Sequence, residues 1–138
     1  MKHYEIAIVV TLLSSLLSGC VGRMLPGRMY ATQTGSISEF QIQTSRGNGK
    51  MTAFDPKTGE RFIGEYSAFF KGQGALFGNV GGSNVSLYSP PTGANASGIL
   101  VGDKGRTIRL YFEIKPGLCP TGVGTGVDQQ GNQYEVYF

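Results

Sequence analysis

The chain has 138 residues, 12 basic and 9 acidic side chains and a net charge of +3, which is the size of one ordinary domain behind a short leader. Its basic residues, Arg46, Lys57, Lys71 and Lys104 among them, are scattered singly. Without a basic run or basic-aromatic stripe to follow a phosphate backbone, nucleic acid is not an expected partner.

The chain opens with Lys2 and an apolar run over residues 6–17, too short to span a bilayer and suited to the core of an export signal. Small residues Ser18 and Gly19 follow, then Cys20. The tetrad Leu17-Ser18-Gly19-Cys20 resembles the lipobox of bacterial prolipoproteins at all four positions. That resemblance implies that the Cys20 thiol takes a diacylglycerol and that signal peptidase II recognises Leu17, Ser18 and Gly19. Cleavage before Cys20 then frees an amine that takes an N-acyl chain such as palmitate. No other cofactor is expected. With roughly 0.8 kcal/mol per buried methylene, three acyl chains hold a protein on a membrane almost permanently. Val21 stands where an Asp would signal inner-membrane retention, so the family pattern implies an outer-membrane anchor facing the periplasm.

Cleavage there removes Lys2, Glu5 and the single histidine, His3, so each charge count falls by one and the net charge is unchanged. A mature chain without His has no Ser-His or Cys-His nucleophile and no His-based metal site. Lipid on Cys20 leaves Cys119 as the one remaining thiol, which excludes an intramolecular disulfide. Cys119 is expected as a small buried hydrophobe, with an intermolecular bridge as the alternative in an oxidising compartment. The expected division is a signal peptide over 1–19, a lipidated tether over 20–29 with Gly22, Pro26 and Gly27, and one periplasmic domain over 30–138.

From Tyr30 onward the apolar period is two, the signature of half-buried strands. Phe40 and Ile42 alternate with Glu39, Gln41 and Gln43. Residues 61–70 place Phe62, Tyr66, Ala68 and Phe70 on one side, and residues 107–114 place Ile108, Leu110, Phe112 and Ile114 there. Residues 133–138 end the chain with Tyr134, Val136 and Phe138 in phase. Three turn motifs separate strands: Asp55-Pro56-Lys57-Thr58-Gly59, Gly102-Asp103-Lys104-Gly105 and Asp128-Gln129-Gln130-Gly131-Asn132. Ser89-Pro90-Pro91-Thr92-Gly93 reads as a long loop, since prolines cannot donate to a ladder. No helix is expected after the signal. The fold class is therefore all-β, a small antiparallel meander forming a barrel or a two-layer sandwich.

Glycine makes up 22 residues, more than double the ordinary share of about 7%. Gly72-Gln73-Gly74 and Gly122-Val123-Gly124-Thr125-Gly126 look like phosphate loops, but neither opens a helix, so close strand packing or bulges are expected instead. Asp55, Glu60 and Glu65 lie around the first turn, with Asp103, Glu113, Asp128 and Glu135 around the other two. A carboxylate-based hydrolase needs two of these facing across a cleft. They read as turn formers and exposed strand residues, so no catalytic residue and no metal site is expected.

Phe69, Phe70 and Tyr88 are the candidate binding surface, because adjacent strand residues cannot both face a core. Residues 96–138, from Ser97-Gly98-Ile99-Leu100-Val101-Gly102 through Asp128 to Tyr134, are also similar to small uncharacterised Gly-rich proteobacterial lipoproteins. That family carries a cysteine pair near the positions of Leu110 and Gly126, which this chain lacks, and it brings no activity with it. The expected role is non-catalytic: an envelope lipoprotein that binds or supports another envelope protein or a glycan. The rival readings are an accessory subunit of a secretion or conjugation apparatus, an inhibitor of an envelope enzyme, or a hydrolase.

Overall fold

A computed structural model describes residues 22–45, 47–72, 74–80 and 83–138, among which there are ten strands and no helix. They are β1 (Met24–Ala31), β2 (Ile37–Gln43), β3 (Asn48–Asp55), β4 (Glu60–Lys71), β5 (Gly74–Val80), β6 (Ser83–Ser89), β7 (Gly93–Gly102), β8 (Thr107–Lys115), β9 (Thr121–Asp128) and β10 (Gln133–Tyr137). Eight of them close in the order β1-β10-β9-β8-β7-β4-β3-β2, every neighbour antiparallel, and β5 and β6 form a separate two-stranded sheet. The all-β meander is thus a closed barrel and not a sandwich.

Alternation decides which residues fill it. Phe40 and Ile42 of β2, Phe62 and Tyr66 of β4, Ile108, Leu110 and Phe112 of β8, and Tyr134 and Val136 of β10 are buried, joined by Met29, Met51 and Leu100. Eight strands enclose a lumen just wide enough for side chains to fill it. Glu39, Gln41, Lys50, Glu65, Arg109, Glu113 and Glu135 face outward. The outward face is mixed, since Ile63, Ile99, Val101, Tyr111, Val123 and Val127 are exposed on the wall beside these polar residues, while the packed apolar interior differs from the polar lumen of a barrel that spans a bilayer.

The interior would be overfilled if every inward position carried a side chain. On β9, Gly122, Gly124 and Gly126 all face inward. A Cβ at Gly122 would collide with the Phe138 ring, one at Gly124 with Phe112 Cβ and the Tyr111 carbonyl, and one at Gly126 would lie 2.5 Å from Leu110 Cδ2. These glycines make room for the rings that pack edge to face, Phe112 on Phe138 at 5.7 Å and Tyr66 on Phe112 at 5.6 Å. Leu110 and Gly126 are also direct cross-strand partners. The glycine-rich stretch serves close packing, as its lack of helical context implied.

Strand direction sorts the connections into two ends. The turn end holds residues 32–36, 56–59, 103–106 and 129–132, between β1 and β2, β3 and β4, β7 and β8, and β9 and β10. Gly59 and Gly105 adopt φ of +69° and +92° there, a left-handed conformation that a side chain would strain. The opposite, entry end holds the start of β1, residues 44, 45 and 47, residues 116–120, and the β5–β6 hairpin.

Four sequence expectations are corrected. The tether cannot extend to residue 29, because β1 begins at Met24 and pairs with β2 along its length. Gly27 lets that strand approach Phe40 and Phe138 closely, and Pro26 lies beyond the residues that β10 covers, so its missing N–H breaks no bond to β10. Residues 89–93 are not a long loop, since β6 ends at Ser89 and β7 starts at Gly93, leaving only 90–92 between them. Cys119 is exposed, not buried, because it lies in the β8–β9 connection outside the barrel. Phe70 leaves the core face because β4 runs past the last residue that β3 pairs, Ser67.

Candidate functional site

Chemistry-bearing side chains gather at the turn end. Asp55 and Glu60 occupy directly opposed positions on β3 and β4, which would set two carboxylates against each other. Arg106, from the β7–β8 turn, neutralises both: its Nε donates to Glu60 Oε2 at 2.5 Å and its Nη2 to Asp55 Oδ2 at 2.8 Å. Its guanidinium also lies over the Phe62 ring at 5.2 Å. Glu60 is 2% exposed, and its Oε1 accepts the backbone N–H groups of Lys104 and Arg106, each at 3.2 Å. Lys104 Nζ donates to the Thr58 carbonyl, and Asp103 Oδ1 accepts the Arg61 N–H. One turn is thereby clamped to the other by charge-assisted bonds.

Asp128 performs the same work for the β9–β10 turn. Its carboxylate accepts the N–H groups of Gln130 and Asn132 at 2.9 Å, the Asn132 amide at 2.8 Å and the Tyr134 hydroxyl at 2.9 Å. Burial pushes the Asp128 carboxyl up, but these donors outweigh it and hold it below the usual carboxylate range. Asp55 behaves alike: burial raises it, while bonds from Arg106, Thr58 and the Lys57 N–H bring it down. Burial and the Asp128 carboxylate push the Tyr134 phenol up to about 12. Arg106, disfavoured as a cation by burial, is raised on balance by Asp55 and Glu60.

These shifts set the pH dependence of stability. Carboxyls depressed in the fold bind protons first in the unfolded chain, so their stabilisation is complete above about pH 4 and is lost as pH falls below that. A phenol raised in the fold stabilises fully below about pH 10 and is lost as pH rises towards 12. Thermal unfolding is therefore expected to show an acid limb that Asp128→Asn flattens and an alkaline limb that Tyr134→Phe weakens, the Tyr66 phenol, also raised by burial, keeping part of it. Limbs of native steepness in both variants would contradict the assignment.

The recess between these groups, lined by Ser38, Thr58, Arg106, Asn132 and Tyr134, is about 180 Å³, below the roughly 300 Å³ at which small-molecule pockets begin. Each of its charged groups already serves another part of the fold. The geometry makes this end a rigid electrostatic lid on the barrel. The sequence alone does not single out Glu60, Arg106 and Tyr134 as one cluster, although Glu60 stands in phase with inward Phe62.

The sequence-derived surface lies at the entry end. Phe69 is 72% exposed, Phe70 40% and Tyr88 65%. Both phenylalanines show, more than alternation required, because the β4–β7 ladder continues past β3 through Lys71 and Gly93. The structure adds Phe77 on β5 at 83%, Leu87 on β6, and Leu118 in the 116–120 connection at 90%. A lack of charge between Lys71 and Asp103 is the signal that could have marked this region. Leu17, Ser18, Gly19, Cys20 and Val21 lie outside the described residues. No cluster of three or more His, Cys, Asp or Glu able to hold a metal occurs among the described residues. Compared with protein-family models, curated proteins and solved structures, the chain has no match.

Proposed function

We propose that this chain is a bacterial envelope lipoprotein, anchored through acylated Cys20 in the outer membrane on its periplasmic side, with a non-catalytic binding or structural role. One observation carries the reading most directly. The chain enters the barrel at Met24, only four residues after Cys20, and it does so at the end where Phe69, Phe70, Phe77, Leu87, Tyr88 and Leu118 are exposed. A lipid at Cys20 would hold that end against the envelope and turn the rigid, charge-locked end away.

The non-catalytic part is supported by two carboxylates of the turn end. A glycosidase-type pair needs one carboxyl held protonated near neutral pH, whereas Asp55 and Asp128 are both held below the usual range by donors that close turns. The outward face of the barrel offers contact area to a protein or glycan partner, and nucleic acid is disfavoured by the scattered cations.

The test is fractionation with mass measurement. Native protein is expected in the membrane fraction with lipid mass on an amino-terminal Cys20. Cys20→Ser is expected in the soluble fraction, uncleaved or cleaved elsewhere. A variant that fractionates as the native chain does, with an unmodified amino terminus in both, would refute the proposal.

A further inference from the structure

The β5–β6 hairpin has an unusual composition for an exposed element. Residues 72–102, which include it, contain no Asp, Glu, Lys, Arg or His. Phe77 and Leu87 are exposed, and Tyr88 with them, while among the described residues the two strands form a sheet of their own, separate from the barrel. Two-stranded hairpins are marginal in water, and exposed edges are normally protected by charge, proline or a bulge. Neither strand contains a charged residue or a proline.

We infer that the hairpin is immersed in the lipid headgroup layer beneath the anchor, with Phe77 and Tyr88 on one of its faces and Leu87 on the other among the headgroups. This rests on the lipidation of Cys20 proposed above. Four extended residues reach at most about 14 Å, so an acylated Cys20 keeps the entry end within that distance of the bilayer. Phe69, Phe70 and Leu118 stand at the same end. Charge differs between the ends: Arg23, Lys71 and Lys115 stand against Glu113 at the entry end, whereas at the turn end Lys57, Arg61, Lys104 and Arg106 balance Asp55, Glu60, Asp103 and Asp128. An anionic lipid surface attracts the first end and has no net charge to act on at the second.

Depth follows from the backbone. An open two-stranded sheet has unpaired edge N–H and C=O groups, which hydrocarbon cannot satisfy. The hairpin therefore rests at headgroup level, where water and lipid polar groups meet its edges and where tyrosine is favoured.

The chain has no tryptophan, so a single introduced one is a unique reporter. Full-length Phe77→Trp, Leu87→Trp and Gln129→Trp proteins, the last in the β9–β10 turn, are purified from membranes. Each is reconstituted into phosphatidylethanolamine–phosphatidylglycerol vesicles containing lipid brominated near the headgroup. Emission at position 77 or 87 is expected to fall by about half relative to unbrominated vesicles, with little change at position 129. If neither 77 nor 87 is quenched more than 129, the inference is overturned. A blue shift at 77 without quenching overturns it too, and assigns the hairpin to a protein partner or a second copy. The amino-terminal mass of the same samples separates the two readings. Intact lipid with unquenched reporters removes the hairpin contact alone, and absent lipid removes the anchor and this inference together.

Discussion

Replacing Arg106 by methionine is expected to lower the unfolding free energy by about 3–5 kcal/mol, the range for breaking a buried ion pair from one side. The loss comes from what stays behind. Glu60 is almost wholly buried and Asp55 stands opposite it, so removing the guanidinium leaves two carboxylates with no cation between them. The methionine recovers part of the packing on Phe62 but none of the hydrogen bonds. Adding Glu60→Met should restore only part of the stability, because the Lys104 and Arg106 N–H groups then lose their acceptor. Urea unfolding of the native protein, the two single variants and the double variant measures the coupling. A loss below about 1 kcal/mol for Arg106→Met would mean that the network is a surface arrangement of little weight.

Gly124→Val is expected to cost about 3 kcal/mol, at the upper end for overpacking a filled interior. The new side chain would enter the lumen where Phe112 Cβ and the Tyr111 carbonyl already stand, and a carbonyl in a barrel ladder cannot move without disturbing its neighbours. Val123, one residue earlier, points outward and is half-exposed, so Val123→Ala is expected to cost under about 1 kcal/mol. Thermal unfolding of the pair checks the inward column directly. Equal losses at both positions would mean that the glycines do not set the interior volume.

Strands with strict alternation are legible in the amino-acid order alone. β8 and β10 follow it throughout, and β2 does so over the residues flanking Phe40 and Ile42, because one face is core and the other water. The three hairpin turns are legible as well, since Pro56, Gly59, Gly105 and Gly131 meet local backbone demands that no distant contact alters. β9 is not, because its inward face is glycine and leaves no apolar period to read. β1 is hidden for a related reason: Pro26 and Gly27 look like linker residues until Phe40 and Phe138 are seen beside them.

The candidate surface divides the same way. Exposure of one residue in the Phe69-Phe70 pair follows from strand geometry alone. That both are exposed depends on β4 outrunning β3, which is a matter of ladder lengths. The Asp55–Glu60–Arg106 cluster joins residues about 50 positions apart, so no local pattern announces it.

Read by itself, the sequence determined the all-β class and the position of three hairpin turns, and it contains the lipobox-like tetrad on which the proposed lipid attachment rests. Each depends on neighbours within a few residues. Closure into a barrel, the glycine column under Phe112 and Phe138, the pairing of Arg106 with two carboxylates, and the joint exposure of Phe69, Phe70 and Leu118 at the entry end were decided by tertiary structure. These depend on which strands lie side by side and which side chains then compete for one interior volume, and both are properties of the closed sheet as a whole.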